Sequence, residues 1–431
     1  MAGAAKPKQR RPKIAADEYF DRRETRAPAA RRRAQIAALQ ALIAHAKKAS
    51  PYYREILKSV RPASITSLEA LAKLPVTRKS ELGARQKAKP PLGGLEAARP
   101  SEIANYFQSP GPLYEAYARP TAKMKDPWRF ARAMWAAGFR PGDLVHNTFS
   151  YHLTPAGRLT EGSAQAIGCP VFPAGVGNTE LQLEAIAQLK PKFYCGTPSF
   201  LKILLEKGRE ANRGPSSLKK ALVGGEALPP SLRAELKALG VDALQSYGTA
   251  ELGLVAYETS AMEGMILDED VIVEIVRPGT GDPLPPGEVG EVVVTVLGNP
   301  AYPMIRFATG DLSAIMPGTS PCGRTNTRIR GWLGRADQTT KIKGMFVTPG
   351  QVAEVVKRHP EIARARLEVG SANNLDTMVL KVEARGERPD LAKAVAETFQ
   401  SVCKLRGEVE IVEPGSLPND GKVIADLRSY Q

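Results

Sequence analysis

The sequence of 431 residues contains no run of about eighteen apolar residues, so it predicts no membrane span. Its start, MAGAAKPKQRRPKIAADEYF, lacks the apolar core of a secretory signal. The four cysteines (Cys169, Cys195, Cys322 and Cys403) form no CxxC pair, which argues against a disulfide framework and a zinc ribbon. We therefore expect a cytoplasmic protein with reduced thiols.

Positive charge is concentrated at the N-terminus. The net charge is +15, and residues 1–33 hold eleven Lys or Arg against four Asp or Glu. Residues 1–16 are predicted to form a disordered basic arm that gives way near Asp17 to a helix. Such an arm can bind nucleic acid, but a solubilising tail is the favoured interpretation, so no nucleic-acid partner is expected. The excess that remains suits a cleft for anionic substrates.

The length and the patterning of the chain predict more than one domain. From about residue 125 to 240, helical patterns alternate with short apolar strands, which favours a mainly parallel sheet. From 270, VIVEIV and GEVGEVVVTVL have the alternation of antiparallel strands. After GWLGRAD come a strand pair, a helix and another strand. We therefore predict an α/β fold with a large N-terminal domain over residues 17–335, including an antiparallel β portion, and a small α+β C-terminal domain over 336–431.

Glycines stand beside chemically active side chains at two predicted strand ends, LVGGEALPPSL and LQSYGTAELGL. Ligands of open α/β sheets bind at such ends. Gly224 and Gly225 allow close approach to the backbone, Tyr247 can stack on a flat base, and the Glu251 carboxylate can hold magnesium. Taken alone, each stretch also fits an ordinary strand-to-helix turn.

Three later stretches also combine glycines with charged side chains. In IRFATGDLSAI, Asp311 lies where a carboxylate can accept hydrogen bonds from a ribose diol, although a solvent turn fits equally. GRADQTTKIKGMFVTPGQVAEVV places several charged residues before Gly344, at the predicted domain boundary. NDGKV, close to the end of the chain, presents Lys422 on a glycine turn, which in isolation predicts only a solvated charge.

Together, in this order and spacing, these stretches resemble the adenylate-forming superfamily of acyl-CoA synthetases, and most closely its phenylacetate–CoA ligase branch. YGTAE, IRFATGD, GRADQTTKIKGMFVTP, NDGK and FYCGTPSFL are similar to five motifs of that family. LQALIAHAKKASPYYREIL and SLEALAKLPVTRKSEL are similar to the N-terminal part of the branch. The resemblance extends over about residues 17 to 428.

The resemblance implies a role for each matching residue. Gly225 and Glu226 would border the adenine, Tyr247 would stack on it within the Tyr247-Gly248-Thr249 nucleotide motif, and Glu251 would bind Mg²⁺. Asp311 would bond the ribose hydroxyls, and Arg335 would approach the ribose or the phosphates.

The C-terminal motifs would act in turn, because the C-terminal domain of this family is mobile. Lys422 would contact the α-phosphate and the carboxylate while the acyl-adenylate forms. Rotation about the hinge at Asp337 would then remove Lys422 and bring in Lys343 and Gly344, which would line the coenzyme A tunnel.

The sequence departs from the family pattern at two places. The phosphate loop of the family, Ser/Thr-Ser-Gly-Thr-Thr-Gly-Lys-Pro, is matched near residue 109 by YFQSPGPLYEA, which keeps Ser109 and Gly111 but has no threonine and no lysine. We predict that backbone N–H groups around Ser109 and Gly111 still hold the ATP phosphates. Ala250 stands where many members have a hydroxyl residue. His152 is a candidate for orienting the acid, and a structural histidine is the alternative.

The resemblance implies a ligase that uses ATP, Mg²⁺ and coenzyme A to convert a small carboxylic acid, aromatic or arylacetic, first to an acyl-adenylate and then to a thioester. Two alternatives stay open: an enzyme that loads an acyl carrier protein, and a non-catalytic nucleotide- or acid-binding homologue with a degenerate phosphate loop. A homodimer is a further expectation.

Overall fold

A computed structural model describes residues 18–109, 113–122, 124–212, 216–338, 340–342, 345–372, 375–384, 389–418 and 422–428. No helix in these ranges is long and apolar enough to cross a bilayer. The helices in the described ranges are α1 Pro28–Ala49, α2 Pro51–Ile56, α3 Leu68–Ala72, α4 Lys79–Ala88, α5 Phe130–Ala136, α6 Ala156–Ile167, α7 Thr179–Leu189, α8 Pro198–Glu210, α9 Pro230–Ala238, α10 Pro349–Arg358 and α11 Pro389–Cys403.

The strands form sheets in both of the predicted regions. They are β1 Thr77–Arg78, β2 Ile103–Gln108, β3 Tyr114–Ala118, β4 Val145–Asn147, β5 Val171–Pro173, β6 Phe193–Gly196, β7 Lys220–Val223, β8 Asp242–Thr249, β9 Gly253–Tyr257, β10 Met265–Leu267, β11 Val271–Val276, β12 Gly290–Val296, β13 Met304–Ser313, β14 Ile315–Met316, β15 Arg328–Ile329, β16 Thr340–Ile342, β17 Met345–Val347, β18 Ile362–Ala372, β19 Leu375–Ala384, β20 Glu408–Val412 and β21 Ile424–Asp426.

The largest sheet has nine strands in the order β14-β15-β10-β9-β8-β7-β6-β4-β5. The five strands from β8 to β5 run parallel, and the remaining neighbours pair antiparallel. Successive residues of β6 point to opposite faces: Phe193 and Cys195 pack with α5 and α6, whereas Tyr194 packs with α7 to α9. Both faces of the parallel strands are covered by helices, and the central strands β6 (FYCG) and β7 (KALV) are accordingly mainly apolar.

A second sheet has the order β1-β13-β12-β11, with only the β1–β13 pair parallel. It packs with α1 to α4 in one hydrophobic core. In the C-terminal region, a sheet of order β20-β19-β18-β21 packs with α10 and α11 in a separate core. The predicted fold class is confirmed. The predicted boundary after residue 335 falls at a 3-10 turn, Ala336–Gln338, and stays a prediction.

The prediction of a helix from about Asp17 is wrong. The described chain begins with irregular structure and a 3-10 turn at Arg22–Thr25, and α1 starts only at Pro28. A buried ionic network holds this segment against the sheet domain. The fully buried Glu24 carboxylate accepts hydrogen bonds from the Tyr257 hydroxyl at 2.6 Å and from Nε of Arg324 at 2.9 Å. These distant partners override the local helical tendency, and the proline then sets the helix start.

Candidate active site

The carboxyl ends of the parallel neighbours β7 and β8 open onto a cavity of about 350 Å³, which we name the Tyr247 cavity. Five residues predicted from the sequence meet there: Gly225, Glu226, Tyr247, Gly248 and Asp311. The rest of the lining consists of Ala227, Gln245, Ser246, Met265 and Trp332. The position follows the rule that open α/β sheets bind ligands beyond the carboxyl ends of their strands.

Two glycines of this cavity are required by the backbone. Gly225 has φ +78°, a left-handed conformation that side chains rarely adopt. At Gly248, a Cβ atom would lie 2.5 Å from the carbonyl oxygen of Gly253 on the adjacent strand β9. The β8–β9 turn can therefore close only with a glycine at this position, which brings backbone to the cavity wall without a side chain between.

Asp311 joins three parts of the site. Its carboxylate accepts hydrogen bonds from the Tyr247 hydroxyl at 2.8 Å, from Nε1 of Trp332 at 3.0 Å and from Nη1 of Arg335 at 3.2 Å. Burial, and next the charge of Asp311, raise the pKa of Tyr247 well above its ordinary value, so the hydroxyl stays protonated and donates. The arrangement fixes an anionic carboxylate at the cavity wall, where it can accept further hydrogen bonds from a diol.

A second cavity of about 550 Å³, which we name the apolar cavity, adjoins the first. The two cavities share Gly225, Glu226, Ser246 and Gly248. The rest of the apolar cavity is lined by Phe130, Thr148, Phe149, Ser150, Thr154, Pro155, Ala156, Leu159, Thr160, Val176, Gly177, Thr197, Phe200, Gly224, Thr249 and Ala250. The buried hydroxyl of Thr249 has no hydrogen-bond partner among the described residues, which leaves it available to a polar group of a ligand.

Glu251 comes directly after Ala250, which lines the apolar cavity, and is only 4% exposed. Its Oε1 lies 2.5 Å from Nζ of Lys79, at the start of α4. A second carboxylate, Glu115 on β3, is 1% exposed and contacts the Tyr117 hydroxyl at 3.2 Å, and the same hydroxyl contacts the carbonyl oxygen of Ala250. Burial, and next the charge of Glu251, raise the pKa of Glu115 well above its ordinary value.

The residues at this point fit a magnesium ion. Oε2 of Glu251 and Oε1 of Glu115 are buried and have no hydrogen-bond partner among the described residues, while Oε1 of Glu251 is paired with the Lys79 ammonium. Magnesium in nucleotide sites takes one or two carboxylates and completes its shell with phosphate and water oxygens. The described residues contain no cluster of three or more acidic, histidine or cysteine ligands, so phosphate oxygens would have to supply the rest.

The segment between β2 and β3 stands where the phosphate loop is expected. Its described start, Ser109, is buried. The backbone N–H of Ser109 donates to the carbonyl oxygen of Leu113 at 2.8 Å, and Ser109 is 2% exposed. The Ser109 N–H is therefore already bonded within the hairpin, and the prediction that backbone N–H groups around Ser109 and Gly111 hold the ATP phosphates stays a prediction. Gly111, the other residue predicted there, lies outside the described residues.

A third cavity of about 500 Å³, the basic cavity, is lined by Arg78, Lys79 and Arg335 together with Gly83, Leu113, Pro278, Gly279, Glu291, Ala308, Thr309, Gly310 and Ala336. Arg335 also bonds Asp311, so it lies between this cavity and the Tyr247 cavity. The family resemblance implies that Arg335 approaches the ribose or the phosphates, and that role stays a prediction with which this position is compatible.

His152 is not brought into this group. It is exposed, it is absent from the lining of the apolar cavity, and its described bonds join its backbone to Ser150 and Thr154. The structure gives no support to a role in orienting an acid, which stays a prediction. Arg306 of IRFATGD is likewise apart, because it pairs with Glu274 in the core of the second sheet.

The C-terminal residues are described in part. Lys422 is exposed, and its carbonyl oxygen accepts from Nη1 of Arg366 at 3.4 Å. The next residue, Val423, donates its N–H to Oε1 of Gln338 at 2.8 Å, so the lysine segment is bonded directly beside the 3-10 turn that contains Asp337. Lys343 and Gly344, predicted to line a coenzyme A tunnel, lie outside the described residues.

Sequence reasoning missed Lys79, Glu115, Tyr117 and Trp332. Two of them carried a usable signal: Lys79 stands in LPVTRKSEL, which resembles the family branch, and Glu115 follows the altered loop directly. The burial of the Glu115 side chain depends on tertiary contacts, which a single sequence does not reveal.

Comparison with known proteins agrees with this geometry. The AMP-binding enzyme family matches residues 156–298, and the AMP-binding enzyme C-terminal domain family matches residues 344–428. The phenylacetate-coenzyme A ligase of Aromatoleum evansii is 32% identical over 405 residues, covering 88% of this chain and 90% of that protein. The phenylacetate-coenzyme A ligase of Escherichia coli K12 is 30% identical, covering 92% and 94%.

Solved structures of acyl-CoA ligases have the same fold. An open conformation of 2-hydroxyisobutyryl-CoA ligase, in complex with 2-HIB-AMP and CoA, has a TM-score of 0.83 at 27% identity, covering 96% of this chain and 95% of that one. The same enzyme in its thioesterification state has a lower TM-score, 0.70. The chain therefore belongs to the adenylate-forming family of AMP-binding enzymes, among the AMP-forming acid–CoA ligases that resemble phenylacetate–CoA ligase.

Proposed function

We propose that this enzyme activates an apolar carboxylic acid of aromatic or arylacetic size with ATP and transfers the acyl group to coenzyme A. The observation that carries the proposal is the shared wall of the Tyr247 and apolar cavities. A nucleotide in one cavity and an acid in the other would meet along Gly225, Ser246 and Gly248. Holding two reactants in contact supplies much of the acceleration of such a reaction.

In the first half-reaction, a carboxylate oxygen of the acid attacks the α-phosphorus of ATP and pyrophosphate leaves. Asp311 would bind the ribose hydroxyls, and the Tyr247 ring would contact the adenine. The unpartnered Thr249 hydroxyl would donate to an oxygen at the junction of the cavities. Lys422 would bring a compact positive charge to the α-phosphate, where negative charge builds up.

Glu251, with Glu115 beside it, would hold magnesium, which when bound screens the negative charge of the phosphates. In the second half-reaction, the thiolate of coenzyme A attacks the acyl carbon and AMP leaves. Rotation at Asp337 would exchange Lys422 for Lys343 and Gly344 between the two steps. The four described thiols are all unpaired, which suits the reducing cytoplasm that we propose as the location.

The apolar lining supports the proposed class of acid. Phe130, Phe149 and Phe200 contribute rings, and Leu159 and Val176 contribute aliphatic surface. Aromatic acids gain from burial against such a wall, whereas a short polar acid would leave it unfilled.

The test is pyrophosphate release over a panel of acids, with and without coenzyme A. Arylacetic and benzoic acids should give release with the highest kcat/KM, and coenzyme A should convert the bound adenylate to a thioester. If the adenylate forms but its acyl group is transferred only to an added acyl carrier protein, the acyl acceptor is a carrier protein and not coenzyme A. No release with any acid would leave the non-catalytic alternative. Sedimentation of the same samples would test for a homodimer.

A further inference from the structure

The outer phosphates of ATP need a cationic side chain to bind them in the proposed site. The turn after β2 has no lysine in the sequence SPGP, although the family loop carries one. Its hairpin is closed by the Ser109–Leu113 hydrogen bond, and the pair Gln108 and Tyr114 stand opposite each other in register. The charge that the loop lacks must therefore come from another element.

Lys79 is the lysine that the fold brings to this place. The strand before it, β1, pairs with β13 at Phe307 and Ala308, which fixes Arg78 and Lys79 beside the IRFATGD motif. From there the Lys79 ammonium reaches Oε1 of Glu251 at 2.5 Å. Its side chain is 33% exposed, and Lys79 also lines the basic cavity.

The basic cavity has the charge that a polyphosphate requires. Its lining contains Arg78, Lys79 and Arg335 against one acid, Glu291, which Arg78 already meets at 3.4 Å. Arg335 connects it to Asp311, the proposed ribose ligand. The cavity volume of about 500 Å³ is many times the roughly 30 Å³ that one water occupies in the liquid, so it has room for phosphate groups with water.

We propose that Lys79 binds the β- and γ-phosphates of ATP in the basic cavity and supplies the charge that the phosphate-loop lysine supplies elsewhere in the family. Without nucleotide, the ammonium pairs with Glu251. With nucleotide and magnesium present, Glu251 meets the metal and Lys79 turns to the phosphates. This inference rests on the proposed function, because it assigns the outer part of the same ATP site.

The test compares ATP with AMP, which lacks the two outer phosphates. In Lys79→Met, calorimetry with a nonhydrolysable ATP analogue and magnesium should show binding weaker by about 10- to 100-fold, the range for a lost charge-assisted hydrogen bond. Affinity for AMP should change less than threefold. Thioester formation from a supplied acyl-adenylate should also be unchanged, and Lys79→Arg should recover most of the ATP affinity.

Lys87→Met is the matched control, because Lys87 is an exposed lysine on the same helix α4 and should leave both affinities unchanged. If Lys79→Met does not fold, Lys79→Gln removes the charge but keeps a hydrogen bond to Glu251. The inference is overturned if ATP and AMP affinities fall by the same factor, or if neither falls. Failure of the proposed function has a different result, since the wild-type enzyme would then release no pyrophosphate with any acid, whatever its affinity for ATP.

Discussion

The hydroxyl of Tyr247 donates a hydrogen bond to Oδ2 of Asp311 over 2.8 Å. The two residues belong to motifs that are separate in the sequence, one at the end of β8 and one within β13. Trp332 and Arg335 bond the same carboxylate, so the proposed ribose ligand is oriented from three sides. Changes at any of these residues should therefore act on nucleotide binding as one unit.

Tyr247→Phe and Asp311→Ala test this unit. Tyr247→Phe removes one hydrogen bond and should weaken AMP binding about three- to tenfold. Asp311→Ala removes the proposed diol acceptor and strands its donors, so AMP binding should weaken about 100-fold. The double variant should be no weaker than Asp311→Ala, because the tyrosine contact is already lost. Calorimetry with AMP measures all three, and Tyr106→Phe, at a tyrosine 49% exposed, is the control. Additive losses would contradict a single unit.

Lys422→Ala should separate the two half-reactions. Removing the positive charge should slow adenylate formation by about 100-fold or more, as loss of a transition-state donor does. Thioester formation from a supplied acyl-adenylate should remain within threefold. Lys393→Ala, at an exposed lysine of α11, is the control and should affect neither step. Equal losses in both steps would refute the assignment of Lys422 to the first.

Asp337→Pro should have the opposite effect. Proline fixes φ, so the backbone at the proposed hinge can no longer rotate freely. Adenylate should still form, while transfer to coenzyme A should slow by at least about tenfold, in line with the sensitivity of closing motions to hinge changes. Stopped-flow measurement of each step separates them. The control, Asp337→Ala, leaves φ free and should slow transfer less than threefold. A normal rate of transfer in Asp337→Pro would show that Asp337 is not the hinge.

Removal of residues 1–16 should leave turnover and the midpoint of urea unfolding unchanged. The first described tertiary contact comes after them, where the carbonyl oxygen of Glu18 accepts a hydrogen bond from Nη2 of Arg324 at 2.9 Å. Removal of residues 1–26 deletes Glu24 as well and should lower the midpoint. A loss of turnover with free coenzyme A in the shorter deletion would show that the basic arm belongs to the active site.

Glu24→Ala should destabilise the sheet domain by about 3–5 kcal/mol, because it leaves the buried Arg324 guanidinium without its carboxylate. Urea unfolding measures the change. The control is Glu55→Ala, which breaks a surface pair with Arg85 and should cost less than about 1 kcal/mol. Similar values for the two variants would show that the Glu24 network contributes no more than a surface pair.

The sequence predicted the alternating helices and strands well, because β5, β6 and β7 are short, mainly apolar runs between helical patterns. It also predicted five of the ten residues that line the Tyr247 cavity. The hairpin of β2 and β3 was missed, since IANYFQ and YEAYA mix polar and apolar residues without the alternation of a half-buried strand. The inward turn at Ser109 and the Lys79–Glu251 pair depend on tertiary contacts, and for that reason no local pattern indicated them.

The Glu24–Arg324 ion pair joins residues 300 positions apart, and Glu24 is fully buried when the pair is made. During synthesis at roughly 5–20 residues per second, the glutamate is made about 15–60 s before its partner. A carboxylate stays hydrated until its counter-charge is present, because burying it alone is too costly. The first-made residues of the sheet domain are therefore among the last to reach their final position, and the domain completes its folding only when nearly all of it has been translated.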